Sequence, residues 1–335
     1  MPLFLNSGIF YLWYTMVKLS SKDYVKNSLS LKEFHEKKNK ILIWHDKGGL
    51  GDVFMQRMMF DDVRRLLPDA EITFACLPEY LDAVTDHPAI DKFVDVRKVD
   101  TNDYIYWFNT CVGIADRYEN FRAPNYNKHR SDIWAEYCGL ELTTHEMNFV
   151  IDKDLKEKAN KHLDTFRKKG KPIIGFAPKS KIATKTLLPH QIQVIADRCK
   201  DYSLVSFHRE EINDCKKIGI PTIGNISIKE LIAYVDCVDY MIAVDTAAFH
   251  LAGGLKKPLC GIFTFADGKI YGKHYDFILV QKHKDNGNWD CGPCFVFGKC
   301  PKSKKLVKPC LTELNAQELI DGIDKMFQKW EYKSF

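Results

Sequence analysis

No stretch of the 335-residue chain is apolar for long enough to cross a bilayer, which takes about 20 residues. The most apolar stretch, residues 1–17, is rich in Phe, Tyr, Trp and Leu but is broken by Asn6, Ser7 and Gly8. No basic residues precede it and no small-residue cleavage site follows it. It therefore reads as a strand or helix packed on a domain, or as an interfacial membrane contact, and not as an export signal. There is no short-period repeat and no low-complexity tract, which excludes solenoids and disordered arrays. Charge of one sign is not in large excess: the net charge of +5 permits an anionic partner without demanding one. The dinucleotide fingerprint is missing, because Gly48-Gly49-Leu50-Gly51 does not fit G-x-G-x-x-G, and no Walker lysine follows it. What remains is a soluble globular chain, expected in the cytoplasm or peripherally at a membrane, and long enough for two domains with proper cores.

Cysteine is abundant, with eleven in the chain. Seven of them (76, 111, 138, 199, 215, 237 and 260) are scattered beside apolar residues and read as small buried hydrophobes in a reducing compartment. The other four, Cys291, Cys294, Cys300 and Cys310, fall within twenty residues and open with C-x-x-C. That set suits a tetrahedral zinc site, although the spacing is not that of a standard finger or ribbon. Free thiols are the alternative. Five lysines interleave there (299, 302, 304, 305 and 308), as a solvated loop or as a basic knuckle able to meet phosphates.

Apolar runs and turn signals alternate along the chain. Residues 41–44 form a buried strand that runs into a glycine-rich turn, and 53–67 form a helix stopped by Pro68-Asp69. Strands at 71–76 and 93–96 flank a short helix at 79–85, and 104–107 adds a further strand. Residues 117–130 are aromatic and basic with little periodicity and read as a loop; 131–140 and 153–169 read as helices. A Lys-Lys-Gly-Lys-Pro hinge at 168–172 then divides the chain. Domains are expected at 1–168 and 169–335. The second half restarts with a strand at 172–177 and continues as helix 188–200, strand 203–207, helix 210–218, strand 221–224, helix 228–235, strand 239–244, helix 247–255 and strand 258–263, with a last helix at 311–330. This order predicts two doubly wound α/β domains in tandem.

Four stretches carry the candidate chemistry. Residues 240–244 are a buried strand that stops at Asp245-Thr246, an N-cap pair, before a helix. The free N–H groups and positive dipole end there form an anion site suited to diphosphate, with His250 one turn into the helix. A plain capped βα unit is the bland alternative. The loop 178–186 brings Lys179, Lys181 and Lys185 to the same sheet edge, where lysines serve as point-charge phosphate binders. Glu210 and Glu211 follow the strand 203–207 and either hold a ribose through its hydroxyls or cap the next helix. In the first half, Gly48, Gly49 and Gly51 let a ligand approach the backbone closely. Asp52 at the mouth of that turn either caps the helix or acts as a general base.

Taken together, these stretches resemble glycosyltransferase family 9, the heptosyltransferase-like enzymes with a GT-B fold, in which two Rossmann-like domains face a cleft. The resemblance rests on Gly51-Asp52-Val53 with the helix ending Leu66-Leu67-Pro68-Asp69-Ala70, on His87-Pro88-Ala89-Ile90-Asp91 with histidine where the family has asparagine, and on Asp245-Thr246-Ala247-Ala248-Phe249-His250-Leu251-Ala252. It implies a nucleotide-sugar donor, an ADP-sugar, on the second domain and a saccharide or glycolipid acceptor on the first, in lipopolysaccharide biosynthesis. It implies Asp52 as catalytic base of an inverting transfer. Thr246, Ala247 and His250 would face the diphosphate, with Asp245 ordering the turn, Lys185 or Lys181 on the donor phosphate, and Glu210 or Glu211 on the ribose. No cofactor is expected to be required, and structural zinc is the one metal considered. Two departures stand out: the family's glycine after Asp-Thr is Ala247, and the donor lysine sits one residue out of register. Other readings are transfer to a modified base in DNA, a non-catalytic nucleotide-sugar or glycan binding module, and a nucleotide-sugar epimerase.

Overall fold

The computed structural model describes residues 39–123, 125–168, 170–282, 294, 300, 303–304 and 308–330. The apolar stretch 1–17 and Cys291 lie outside these residues. By contacts the chain forms two compact units: residues up to Tyr118 with Arg130–Met147, and Glu119–His129 with Asn148–Phe335.

The first unit is built on a four-stranded parallel sheet of β1 (Lys40–Trp44), β2 (Glu71–Cys76), β3 (Lys92–Asp95) and β4 (Tyr106–Asn109), in the order β3-β2-β1-β4. Parallel strands need crossovers, and the helix Leu50–Leu66 supplies the first of them, between β1 and β2. Residues 53–60 of this helix are buried all round, including Gln56 and Arg57, so hydrophobic periodicity alone understates its burial. Arg57 is tolerated there because every part of its fork is used. It pairs with Asp86 at 2.6 and 2.9 Å and donates to the carbonyls of Ala83 and Met147.

The second unit carries a six-stranded parallel sheet in the order β10-β9-β8-β5-β6-β7, comprising β5 (Ile173–Ala177), β6 (Ser203–Phe207), β7 (Thr222–Ile223), β8 (Tyr240–Val244), β9 (Leu259–Phe263) and β10 (Ile278–Gln281). Strands β5, β8 and β9 are buried throughout, as near-continuous apolar runs in a parallel sheet should be. The fold class is the expected one, two Rossmann-like parallel α/β units.

Several details differ from the sequence reading. The helix Lys153–Asp164 lies in the second unit and not ahead of a boundary at 168/169, because it packs on Ile228–Cys237 and pairs Lys156 with Asp236 and Lys158 with Glu230. Residues 112–122 are a helix where 117–130 read as a loop. Its pattern is inverted: Glu119 is fully buried on the Tyr271 hydroxyl while Phe121 is 85% exposed, which erases the helical signal. The last helix is two pieces, Pro309–Thr312 and Ala316–Lys329, because Asn315 and Glu318 form a reciprocal capping box that starts a new helix. Among the described residues no helix is long and apolar enough to cross a membrane.

His87, the histidine of the stretch 87–91, is 2% exposed and stacks edge-on against Phe60. Its Nδ1 accepts from the Ala89 N–H. Burial, reinforced by the Arg57 guanidinium, pushes its pKa down to about 3. The unfolded chain therefore binds more protons than the folded one from near pH 6.5, the ordinary histidine value, down to about 3, and stability falls as pH falls through that window. Urea denaturation at pH 7 and pH 4.5 is expected to show a loss of a few kcal/mol in the wild type. His87→Asn, which keeps an acceptor for Ala89, should show a smaller loss; an unchanged pH slope would remove His87 as the cause.

Candidate functional site

In an open parallel sheet, ligands settle outside the strand C-termini where the strand order reverses. The second unit reverses between β5 and β8, so the loop after β5 and the turn after β8 meet there. The helix Ala247–Gly254 begins at that turn, with Thr246 extended as its N-cap (φ −147°, ψ 174°). The Thr246 side chain makes no capping bond, and its Oγ1 is buried without a hydrogen-bond partner among the described residues. Across the reversal, Lys185 reaches Asp245, Nζ to Oδ2 at 2.6 Å, with 12% and 7% of the side chains exposed. The Lys185 ammonium also lies 5.5 Å from the Phe265 ring centre, and that of Lys308 lies 4.0 Å from the same ring. A lysine ammonium, a buried hydroxyl and a helix N-terminus thus meet at this strand-order reversal, which is chemistry suited to an oxyanion.

The other expected residues of this unit divide. Lys181 is exposed, so Lys185 is the lysine that the β5 loop carries to Asp245. Ala247 opens the helix, half-buried. His250 is 3% exposed and shares a hydrogen bond with the Tyr275 hydroxyl at 3.1 Å, with the rings of Phe249 and Tyr271 beside it. Burial keeps Tyr275 protonated by raising its pKa far above the usual phenol range. Glu210 and Glu211 stand exposed beyond β6, and Glu211 pairs with Lys216 at 2.9 Å. Neither caps the following helix Asn213–Lys217, whose N-cap is Ile212.

The first unit reverses between β1 and β4, and the glycine-rich turn after β1 occupies that end. Gly48 has φ +117°, and a Cβ there would stand 2.9 Å from Asp52 Oδ2. Glycine is needed both for the backbone angle and for the carboxylate beside it. Gly49 is the N-cap of the helix, and its N–H donates to Asp52 Oδ2 at 2.8 Å. Gly51 lies in the helix's first turn. Asp52 therefore caps the helix, and its other oxygen accepts from Arg130 Nη1 at 2.6 Å. Arg130, 7% exposed, gives its Nη2 to Asp116 at 2.5 Å. Burial alone would raise the Asp52 carboxyl; the Arg130 guanidinium, the Gly49 N–H and His45 together outweigh it and hold the group below the usual carboxylate range.

His45, the residue after β1, is 1% exposed and bonds the Thr110 carbonyl through Nδ1 at 2.6 Å. A carbonyl only accepts, so Nδ1 carries the proton and Nε2 is an acceptor, buried without a hydrogen-bond partner among the described residues. Burial pushes the imidazole pKa down against the pull of Asp52, which keeps it neutral near pH 7. Sequence reasoning missed Arg130 and His45. Arg130 and Asp52 are 78 positions apart, so no local spacing links them; His45 had only its place at a strand end as a signal.

Of the cysteine cluster, Cys294, Cys300 and Cys310 are described, and they do not gather to a common metal-ligand distance among the described residues.

Residues 122–296, just over half of the chain, match the model of the family described as glycosyltransferase family 9 (heptosyltransferase). Solved structures agree in fold. The glycosyl transferase family 9 protein of Veillonella parvula is 13% identical with a TM-score of 0.63, covering 90% of this chain and 100% of that one. The E. coli ADP-heptose lps heptosyltransferase II is 10% identical with a TM-score of 0.57, covering 88% and 100%. The dodecameric iron-containing heptosyltransferase TibC of enterotoxigenic E. coli, solved in complex with ADP-D-beta-D-heptose, is 14% identical with a TM-score of 0.62, covering 92% of this chain and 80% of that one. No curated protein sequence matches the chain.

Proposed function

This chain belongs to glycosyltransferase family 9 and is a glycosyltransferase, and from that premise we propose that it moves a heptose-like sugar from an ADP-linked donor to a saccharide hydroxyl with inversion. The observation that carries the donor site is the buried Thr246 Oγ1, without a partner among the described residues, at a helix N-terminus beside the Lys185–Asp245 pair. A diphosphate oxygen would accept hydrogen bonds from the Thr246 hydroxyl and the first-turn N–H groups, with Lys185 as its counter-charge. Ala247 in place of glycine narrows the approach to the backbone, and Glu210 or Glu211 is the ribose contact in this reading. The choice of ADP and heptose is supported by the fold likeness to enzymes described as handling ADP-heptose.

The reaction follows from the groups in place. The acceptor O–H gives its proton to Asp52 while its oxygen bonds the anomeric carbon. The bond from that carbon to the β-phosphate oxygen breaks, and the nucleoside diphosphate leaves with the electron pair. Negative charge growing on the leaving group is met by the helix N-terminus at Thr246 and by Lys185. Displacement from the face opposite the leaving group inverts the anomeric centre.

A thermal-shift screen of nucleoside diphosphates and nucleotide-sugars, read with mass spectrometry of the products, tests the donor site. An ADP-sugar at a hundred times its dissociation constant should stabilise the folded chain by about 2.7 kcal/mol. Thr246→Trp, folded by circular dichroism, should lose that shift. Equal shifts in both proteins, or none with any nucleotide, would contradict the assignment.

A further inference from the structure

Arg130 was announced by no spacing in the sequence, and its geometry is that of a support. It is 7% exposed, and its guanidinium is divided between two carboxylates, Asp52 Oδ1 at 2.6 Å and Asp116 Oδ1 at 2.5 Å. On the far side of the Asp52 carboxylate, the Gly49 N–H holds Oδ2 at 2.8 Å. Each oxygen of Asp52 thus has its own donor, and the group cannot turn without losing one of them. An ionised carboxylate offers about four lone-pair directions, so two donors leave room for an incoming hydroxyl.

We propose that Arg130 is a positioning residue for Asp52, clamping the carboxylate against Gly49 so that one free lone pair faces the acceptor hydroxyl, with Asp116 sharing the guanidinium to moderate the clamp. The inference rests on the reading of Asp52 as the base. Among the described residues, the charged and titratable groups that act on Asp52 are Arg130, at the start of the helix Arg130–Tyr137, and His45 after β1; Asp116, on the helix Val112–Arg122, holds the other end of the Arg130 guanidinium, and Asp46 acts on His45. Of these, Arg130 alone brings a fixed positive charge onto the carboxylate. It keeps the group ionised where burial would favour the neutral acid, and it lowers the group's basicity in return. Asp116 draws part of the guanidinium charge away from Asp52. A fork that serves two carboxylates is beyond the reach of lysine, whose ammonium is a single point charge.

The test uses the full chain with an ADP-sugar and a hydroxyl acceptor, and reads two quantities. One is the pH dependence of kcat/KM. The other is the titration of Asp52 itself by 13C NMR of labelled aspartate carboxyls, its signal identified by its absence in Asp52→Asn. Arg130→Met is expected to lower kcat roughly a hundredfold, the scale of a misplaced reacting group, with the donor KM unchanged. Both the acid limb and the Asp52 midpoint should move to higher pH. Arg130→Lys should restore most of the midpoint but only part of kcat. Asp116→Asn should move the midpoint the other way, to lower pH, by concentrating the guanidinium charge on Asp52. An Asp52 midpoint that does not move in folded Arg130→Met and Asp116→Asn, or a wild-type kcat in folded Arg130→Lys, overturns the proposal. A midpoint that moves while the acid limb of the rate stays fixed shows that Arg130 holds Asp52 but that Asp52 is not the base, which overturns the catalytic reading instead. Should Arg130→Met fail to fold, the Lys and Asn variants decide the question between them.

Discussion

Asp52→Asn is expected to lower kcat/KM for sugar transfer by roughly 10²–10⁴-fold, the range for loss of a general base, while donor binding stays within about twofold of wild type. The asparagine is nearly isosteric and still offers an oxygen to the Gly49 N–H, the bond that caps the helix at 2.8 Å. The cap is worth about 1 kcal/mol, so stability should change little through that contact. The charge is what disappears, and Arg130 then keeps only Asp116 as its carboxylate partner in this trio. If Asp52 served only as a cap, the asparagine variant would transfer sugar at close to the wild-type rate. Steady-state kinetics with a binding measurement on the same preparation separates the two outcomes. Activity that survives in Asp52→Asn removes the base from the mechanism whatever the donor site does.

Lys185→Met is the second large effect, and it should appear in two quantities at once. A charge-assisted contact to phosphate is worth about 1.5–3 kcal/mol, so donor affinity should fall by roughly 10–10²-fold. Lys185 also neutralises Asp245, which is 7% exposed at a pair distance of 2.6 Å. Removing one partner of such a pair costs about 3–5 kcal/mol, because the other is left charged and buried. The double variant Lys185→Met with Asp245→Asn is expected to regain most of the stability and none of the donor affinity. That asymmetry is the useful part of the cycle. If affinity recovers along with stability, Lys185 acts by holding the turn and not by touching phosphate.

Much of this architecture was legible because parallel strands announce themselves. Strands β1, β5, β8 and β9 are short apolar runs ended by polar turns, and each was placed within a residue or two. The two strand-order reversals then follow from topology, and with them the convergence of the turn after β8 with the loop after β5. What stayed hidden was chemistry held by long-range pairs. Arg130 sits among residues whose helical period is spoiled by buried Glu119 and exposed Phe121, and its role appears only when Asp52 is beside it. Of the two candidate lysines, Lys185 contacts Asp245 and Lys181 is exposed, a difference in space that spacing alone does not give. His250 reads in sequence as one turn into the helix, within reach of the ligand or simply satisfied there; the rings of Phe249, Tyr271 and Tyr275 that bury it come partly from well beyond the helix. Strand β10 and the short helix Gly268–Tyr271 were unread because their polar ends, such as Gln281 bonding back to the carbonyls of Thr264 and Ala266, break the apolar run.

The central claim is that a nucleoside diphosphate seats on the helix N-terminus after β8. Hydrogen–deuterium exchange of the whole chain with and without ADP, at a concentration where calorimetry shows binding, tests it most directly. The account predicts slowed exchange at 245–250 and in the loop 183–186, the two segments that meet at the strand-order reversal. Slowed exchange confined to other segments, with 245–250 unchanged, would contradict it.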